Sequence, residues 1–197
     1  MKSSLRLAAA HAAVLFAALA MLCAPVQAGK AEVMAAQEAL AKLGYDPGTP
    51  DGAWGGKSRK ALNEFQKAHG LKATRKLSKG PALALKLAAA GAKPAPLPMA
   101  DRVGNTLILD VGARVYYSPD GQKILRLPNG KTAKAKWEKK ADGTYCEFIF
   151  STKKMDCGEK FEQQFVVFKL DNKWTYFEKN GKKKWGIELA DGDKLKP

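Results

Sequence analysis

The apolar residues of this 197-residue chain change their spacing once, close to residue 100, and that change restricts the fold more than any other feature. Before it, Val33, Gln37, Leu40 and Leu43 recur at helical intervals, and Ser58, Ala61, Leu62, Phe65 and Ala68 share one face of a second helical run. A third short run over 81–87 sets Leu83 and Leu87 one turn apart. Gly44 before Tyr45 and Gly70 before Leu71 are stop signals, in which a left-handed glycine closes the helix and the next residue packs back on it. Beyond Gly104 the period is two, and strands are predicted over 106–109, 114–117, 123–127, 132–137, 145–150, 161–170, 174–177 and 184–189. Pro119-Asp120-Gly121, Pro128-Asn129-Gly130, Asp142-Gly143, Asp171-Asn172 and Asn180-Gly181 separate them, and connections this short imply antiparallel neighbours. The expected fold class is α+β in two separate domains. A small three-helix bundle over 30–87 precedes an antiparallel β barrel or sandwich of about eight strands over 101–197.

Two further segments complete the organisation. Residues 88–100, rich in Ala and with Pro94, Pro96 and Pro98 alternating, read as a semi-rigid extended linker. Residues 1–28 read as a signal peptide cleaved after Ala28. Lys2 and Arg6 form its basic start, an apolar run follows, and Val26-Gln27-Ala28 places small residues where a signal peptidase reads. An uncleaved anchor would need about 20 apolar residues, so no stable membrane insertion is expected after cleavage. Leu22 stands where lipidation of Cys23 would require a small residue, which argues against a lipoprotein. The expected location is the periplasm or cell envelope.

The chain carries 34 Lys and Arg against 19 Asp and Glu, a formal +15, which predicts an anionic partner or surface. Lys2 and Arg6 are the only charges of the leader, so its removal lowers this only to +13, with +6 on each flank of the linker and Lys93 between them. An exported chain makes nucleic acid an unsuitable partner despite the charge. Cleavage also removes Cys23 and His11, leaving Cys146, Cys157 and His69. An even pair of cysteines in an exported chain reads as a disulfide, here across a hairpin centred between Ser151 and Thr152. A structural zinc site needs about four ligands, which this inventory does not supply, and no metal or cofactor is expected.

The first region resembles the peptidoglycan-binding domain 1 family. The order Gln37-x-x-Leu40-x-x-Leu43-Gly44-Tyr45, then Asp51-Gly52-x-Trp54-Gly55-x-x-Ser58-x-x-Ala61-Leu62-x-x-Phe65-Gln66, then His69-Gly70-Leu71 carries the resemblance. It implies a three-helix module that binds cell-wall polymer. Three positions depart from the family pattern: Ser58 stands for Thr, Arg75 for Gly and Ser78 for Asp. The ligand-binding set expected for peptidoglycan is Tyr45, Asp51, Gly52, Trp54, Gly55, Lys57, Ser58 and Arg59. The chemistry is direct: glycan strands offer apolar sugar faces, stem peptides offer carboxylates, and an aromatic platform with donors and cations meets both. Phe65 and Gln66 read as core and loop brace instead, and Asp51 before Gly52 is equally suited to capping backbone amides.

The second region resembles, through Gly104-Asn105-Thr106, Tyr117-x-Pro119-Asp120-Gly121, Trp137 before Asp142-Gly143 and the cysteine pair, a family of small exported bacterial domains of unknown function. That implies location and fold but no activity. Catalysis finds little support in the inventory. A zinc amidase or a Ser-His-Asp hydrolase needs histidine in the site, and His69 lies at a helix end of the binding module. A cysteine-dependent transpeptidase needs a free thiolate. The expectation is a noncatalytic envelope protein with peptidoglycan as its partner, other envelope proteins being further candidates. The alternative is a wall-glycan hydrolase using two carboxylates of the β domain.

Overall fold

A computed structural model describes residues 29–195; the expected signal peptide lies outside the described residues. Three helices open the chain: α1 (Lys30–Lys42), α2 (Gly56–Ala68) and α3 (Lys79–Ala89). Their apolar stripes converge, burying Leu40, Ala61, Leu62, Phe65, Ala84 and Leu85 almost completely. All three end by one device. Gly44, Gly70 and Gly91 take positive φ, and the following amide donates back to the last turn, Tyr45 N to Leu40 O at 3.0 Å, Leu71 N to Gln66 O at 2.8 Å and Ala92 N to Leu87 O at 3.0 Å. The third stop falls inside the expected linker, so α3 runs past its predicted end.

A ten-stranded antiparallel sheet follows. Its strands are β1 (Lys93–Pro94), β2 (Asn105–Leu109), β3 (Arg114–Tyr117), β4 (Gln122–Arg126), β5 (Thr132–Lys139), β6 (Tyr145–Ile149), β7 (Lys154–Cys157), β8 (Phe165–Leu170), β9 (Lys173–Glu178) and β10 (Lys183–Asp191). They are ordered β1-β8-β9-β10-β2-β3-β4-β5-β6-β7. Each of the eight predicted strands is present. The predicted segment 161–170 is shorter, because Glu162–Gln164 closes a 3-10 turn before β8. β1 was not expected as a strand.

The sheet is not a closed barrel, which corrects the expectation of a barrel or sandwich: β1 and β7 remain as its two edges. It curls instead around a core that includes Leu107, Val115, Trp137, Trp174, Tyr176 and Ile187, into which Leu97 and Met99 insert. The expected spacer over 88–100 is also replaced by packed structure. Ala88 and Ala92 are buried with the helices, Lys93 and Pro94 pair with Lys169 and Phe168, and Met99–Arg102 forms a short helix, α4. Proline lacks a ladder donor and is therefore tolerated at an edge, which is where β1 lies.

The helical and sheet regions share a core. Phe168 of β8 and Phe177 of β9 are buried among the helix residues Leu40, Phe65 and Leu85. His69 bridges the two regions, its ring 4.3 Å from that of Phe65 and 5.4 Å from that of Phe168. α3 begins so close to the β9–β10 turn that a Cβ on Gly80 would stand 1.9 Å from the Gly181 carbonyl oxygen. The expectation of two separate domains therefore gives way to two regions joined through one continuous apolar contact.

Cys146 and Cys157 oppose each other on β6 and β7 and are joined by a disulfide, in the hairpin register read from the sequence. In the chain-entropy model so short a loop contributes about 3 kcal/mol. Replacing both cysteines with serine is expected to lower stability by about that amount, measured by denaturant titration. Thiol labelling of the unreduced, denatured protein should find neither cysteine free.

Candidate functional site

Two buried glutamines build the surface around the α1–α2 loop. Gln37, inside α1, donates from Nε2 to Asp51 Oδ1 at 3.2 Å, to the Ala53 carbonyl at 3.0 Å and to Ser58 Oγ at 3.0 Å. Its Oε1 accepts from Gly52 N at 2.9 Å. One side chain thereby meets four groups of a loop that has no regular ladder of its own. Gln66 does the same for the α2–α3 loop, with Nε2 donating to Thr74 Oγ1 at 3.1 Å and Oε1 accepting from Thr74 N at 3.0 Å. Trp54 then joins the two loops: its indole N–H donates to the Arg75 carbonyl at 3.2 Å, and its ring packs on the helical core.

The predicted residues divide by orientation. Ser58 is buried and donates to the Pro47 carbonyl at 3.0 Å, so it holds the loop from beneath. Gly52 lies with φ 76° against the start of α1, where a Cβ would stand 2.8 Å from the Lys30 carbonyl oxygen. Asp51 accepts from Ala53 N at 2.8 Å, and this backbone bond, with the Gln37 amide, holds its carboxyl below the usual range. Tyr45 is half-buried, edge-on to Phe65 with ring centroids 5.9 Å apart. Trp54 is half-buried, while Gly55, Lys57 and Arg59 are exposed around the start of α2.

The electrostatics of that helix start are unusual. Acidic residues are favoured in a first turn because the amide dipoles leave a partial positive charge there. α2 has none, and Lys57, Arg59 and Lys60 occupy the turn instead. The unpaired first-turn amides and the two flanking cations make an anion-seeking rim beside Trp54. Arg75 extends it. Sequence reasoning omitted Arg75 from the site although its departure from the family glycine was visible. The position keeps the left-handed backbone a glycine would suit, with φ 54°, at a cost of about 1–2 kcal/mol.

A second polar constellation lies within the curled sheet and was not foreseen. Arg102 of α4, 2% exposed, donates through Nη1 to Glu147 at 2.9 Å and pairs with Glu162 at 2.8 Å. Its Nε and Nη2 reach the Leu97 carbonyl at 3.1 and 2.6 Å. The other oxygen of Glu147 accepts from Tyr117 at 2.7 Å and from the Lys123 ammonium. Burial opposes the charge on Glu147, but Lys123 and Arg102 outweigh it and hold the carboxyl below its ordinary range. Burial prevails at Glu162 and raises its carboxyl, and likewise lowers the Lys123 ammonium. Lys123 on the face of Leu125 was the legible signal: a charge at an inward position of a strand must be paired. Glu162 also lines a cleft of about 410 Å³ with Glu159, His69 and Phe165.

Comparison with known proteins places a family on the first of these regions. Residues 29–79 match the family model described as a putative peptidoglycan binding domain, from the start of α1 to the start of α3. No curated protein and no solved structure matches the chain.

Proposed function

From a peptidoglycan-binding module at residues 29–79, we propose that this is a noncatalytic, exported envelope protein that holds the wall polymer at the α1–α2 loop. The observation that carries the proposal is the cationic start of α2 beside Trp54. A carboxylate of a stem peptide would supply the negative charge that the helix start lacks, and the Trp54 ring would receive a sugar face. Trp54, Lys57 and Arg59 are the direct contacts, with Tyr45 and Gly55 at the rim. Asp51, Gly52 and Ser58 act by fixing the loop.

Pelleting the protein with purified peptidoglycan sacculi at rising salt tests this. Binding is expected at low salt and should persist in part at high salt. Trp54→Ala should weaken it about tenfold, the scale of losing one well-placed aromatic anchor. Lys57→Ala with Arg59→Ala should chiefly reduce the salt dependence, because exposed charges are screened over about 8 Å at 0.15 M. Absence of pelleting at low salt would overturn the proposal. Release of soluble fragments from the same sacculi would favour the hydrolytic alternative.

A further inference from the structure

The β2–β3 and β4–β5 turns close at the same end of the sheet and touch, since a Cβ on Gly112 would stand 3.1 Å from Pro128 Cγ. They carry Val111 and Leu127, 62% and 39% exposed. Single exposed aliphatic residues are ordinary, but two on touching turns form a small apolar tip. Cations surround it. Arg126 ends β4, Lys131 closes the turn, and Lys134 continues the exposed face of β5. Arg126 stands directly opposite Arg114, whose Nη1 donates to the Lys194 carbonyl at 2.6 Å. Like charges so opposed disfavour the sheet unless an anion lies over them. The neighbouring carboxylates are engaged, Asp110 with Lys183 and Glu188 with Lys173.

We propose that this tip docks on an anionic phospholipid bilayer, with Val111 and Leu127 entering the headgroup boundary and the collar meeting lipid phosphates. Apolar area and attraction to anionic lipid together set the strength of interfacial binding, and the tip provides both. A polysaccharide would match the cations but offers aliphatic side chains no hydrocarbon to enter. The proposal is independent of the peptidoglycan reading, which concerns the other region of the chain.

Vesicle flotation of the chain from Gly29 onward tests it, using phosphatidylglycerol with phosphatidylethanolamine against phosphatidylcholine alone. Flotation is expected only with the anionic vesicles. Val111→Ser with Leu127→Ser should lower partitioning at least about tenfold, the order expected for losing two part-buried aliphatic contacts. Both sites are exposed turns, so unfolding midpoints should not change. As a second readout, Val111→Trp should show a blue shift of its added emission on anionic vesicles. Equal flotation with phosphatidylcholine, an unaffected double-serine variant or an unshifted tryptophan overturns the proposal. Loss of sacculus pelleting in the double variant would instead assign the tip to wall polymer, and that too overturns the lipid docking.

Discussion

Glu147→Gln is expected to destabilise the protein by about 3–5 kcal/mol, the loss seen when one partner of a buried ion pair is removed. The substitution preserves shape but leaves the Lys123 ammonium without its carboxylate, and Arg102 with Glu162 alone. Denaturant unfolding should show the midpoint falling with an unchanged slope. A loss below about 1 kcal/mol would contradict the account, since it would place the charges in water. The pH dependence follows from the same residues. The Glu147 carboxyl is lowered by the fold, so its contribution is complete above its unfolded pKa and disappears as pH falls through its lower folded value. Glu162 is raised, so its contribution is complete below its unfolded pKa and is lost as pH rises through the raised folded value. Glu147→Gln should therefore flatten the acid limb of the stability curve and leave the Glu162 limb in place.

Phe177→Ala is expected to cost about 3–5 kcal/mol as well, on the scale of buried phenylalanine truncations. Its distribution is the distinguishing result. Phe177 belongs to β9 but is buried in the helical core, so amide protection should fall in α1 and α2 as much as in the sheet. A loss confined to β8 and β9 would show that the helices stand on their own packing. The wild-type chain should unfold in one transition that Trp54 and the three sheet tryptophans report together.

Much of this was legible in the residues because it is local. Helical spacing, glycine stops and turn pairs depend on neighbours in sequence, and they located α1, α2, the eight longer strands and the Cys146–Cys157 register. What the sequence concealed is non-local. Pro94 and Pro96 resemble a spacer until the outer edge of β8 is present to receive the segment, and Leu97 and Met99 look isolated until the curled face surrounds them. Glu147, between Cys146 and Phe148, has no nearby sequence partner: Arg102 and Lys123 arrive from α4 and β4. Within the candidate site, composition distinguished Trp54, Lys57 and Arg59 as useful groups, but Gln37 could be recognised as the loop's organiser only once the loop had folded around it.

The open sheet carries one more consequence, for self-association. Both edges offer backbone that another strand could join, and each is closed to that by different chemistry. At β1, Pro94 and Pro96 remove donors from the outer edge. At β7, Lys153 takes a left-handed backbone and Lys154 begins a strand of only four residues, placing two positive charges where an incoming copy would begin to pair. Growth of the sheet into fibrils is opposed at both ends, so the molecule can remain uncurtained by further strands while its faces and turns stay available for recognition.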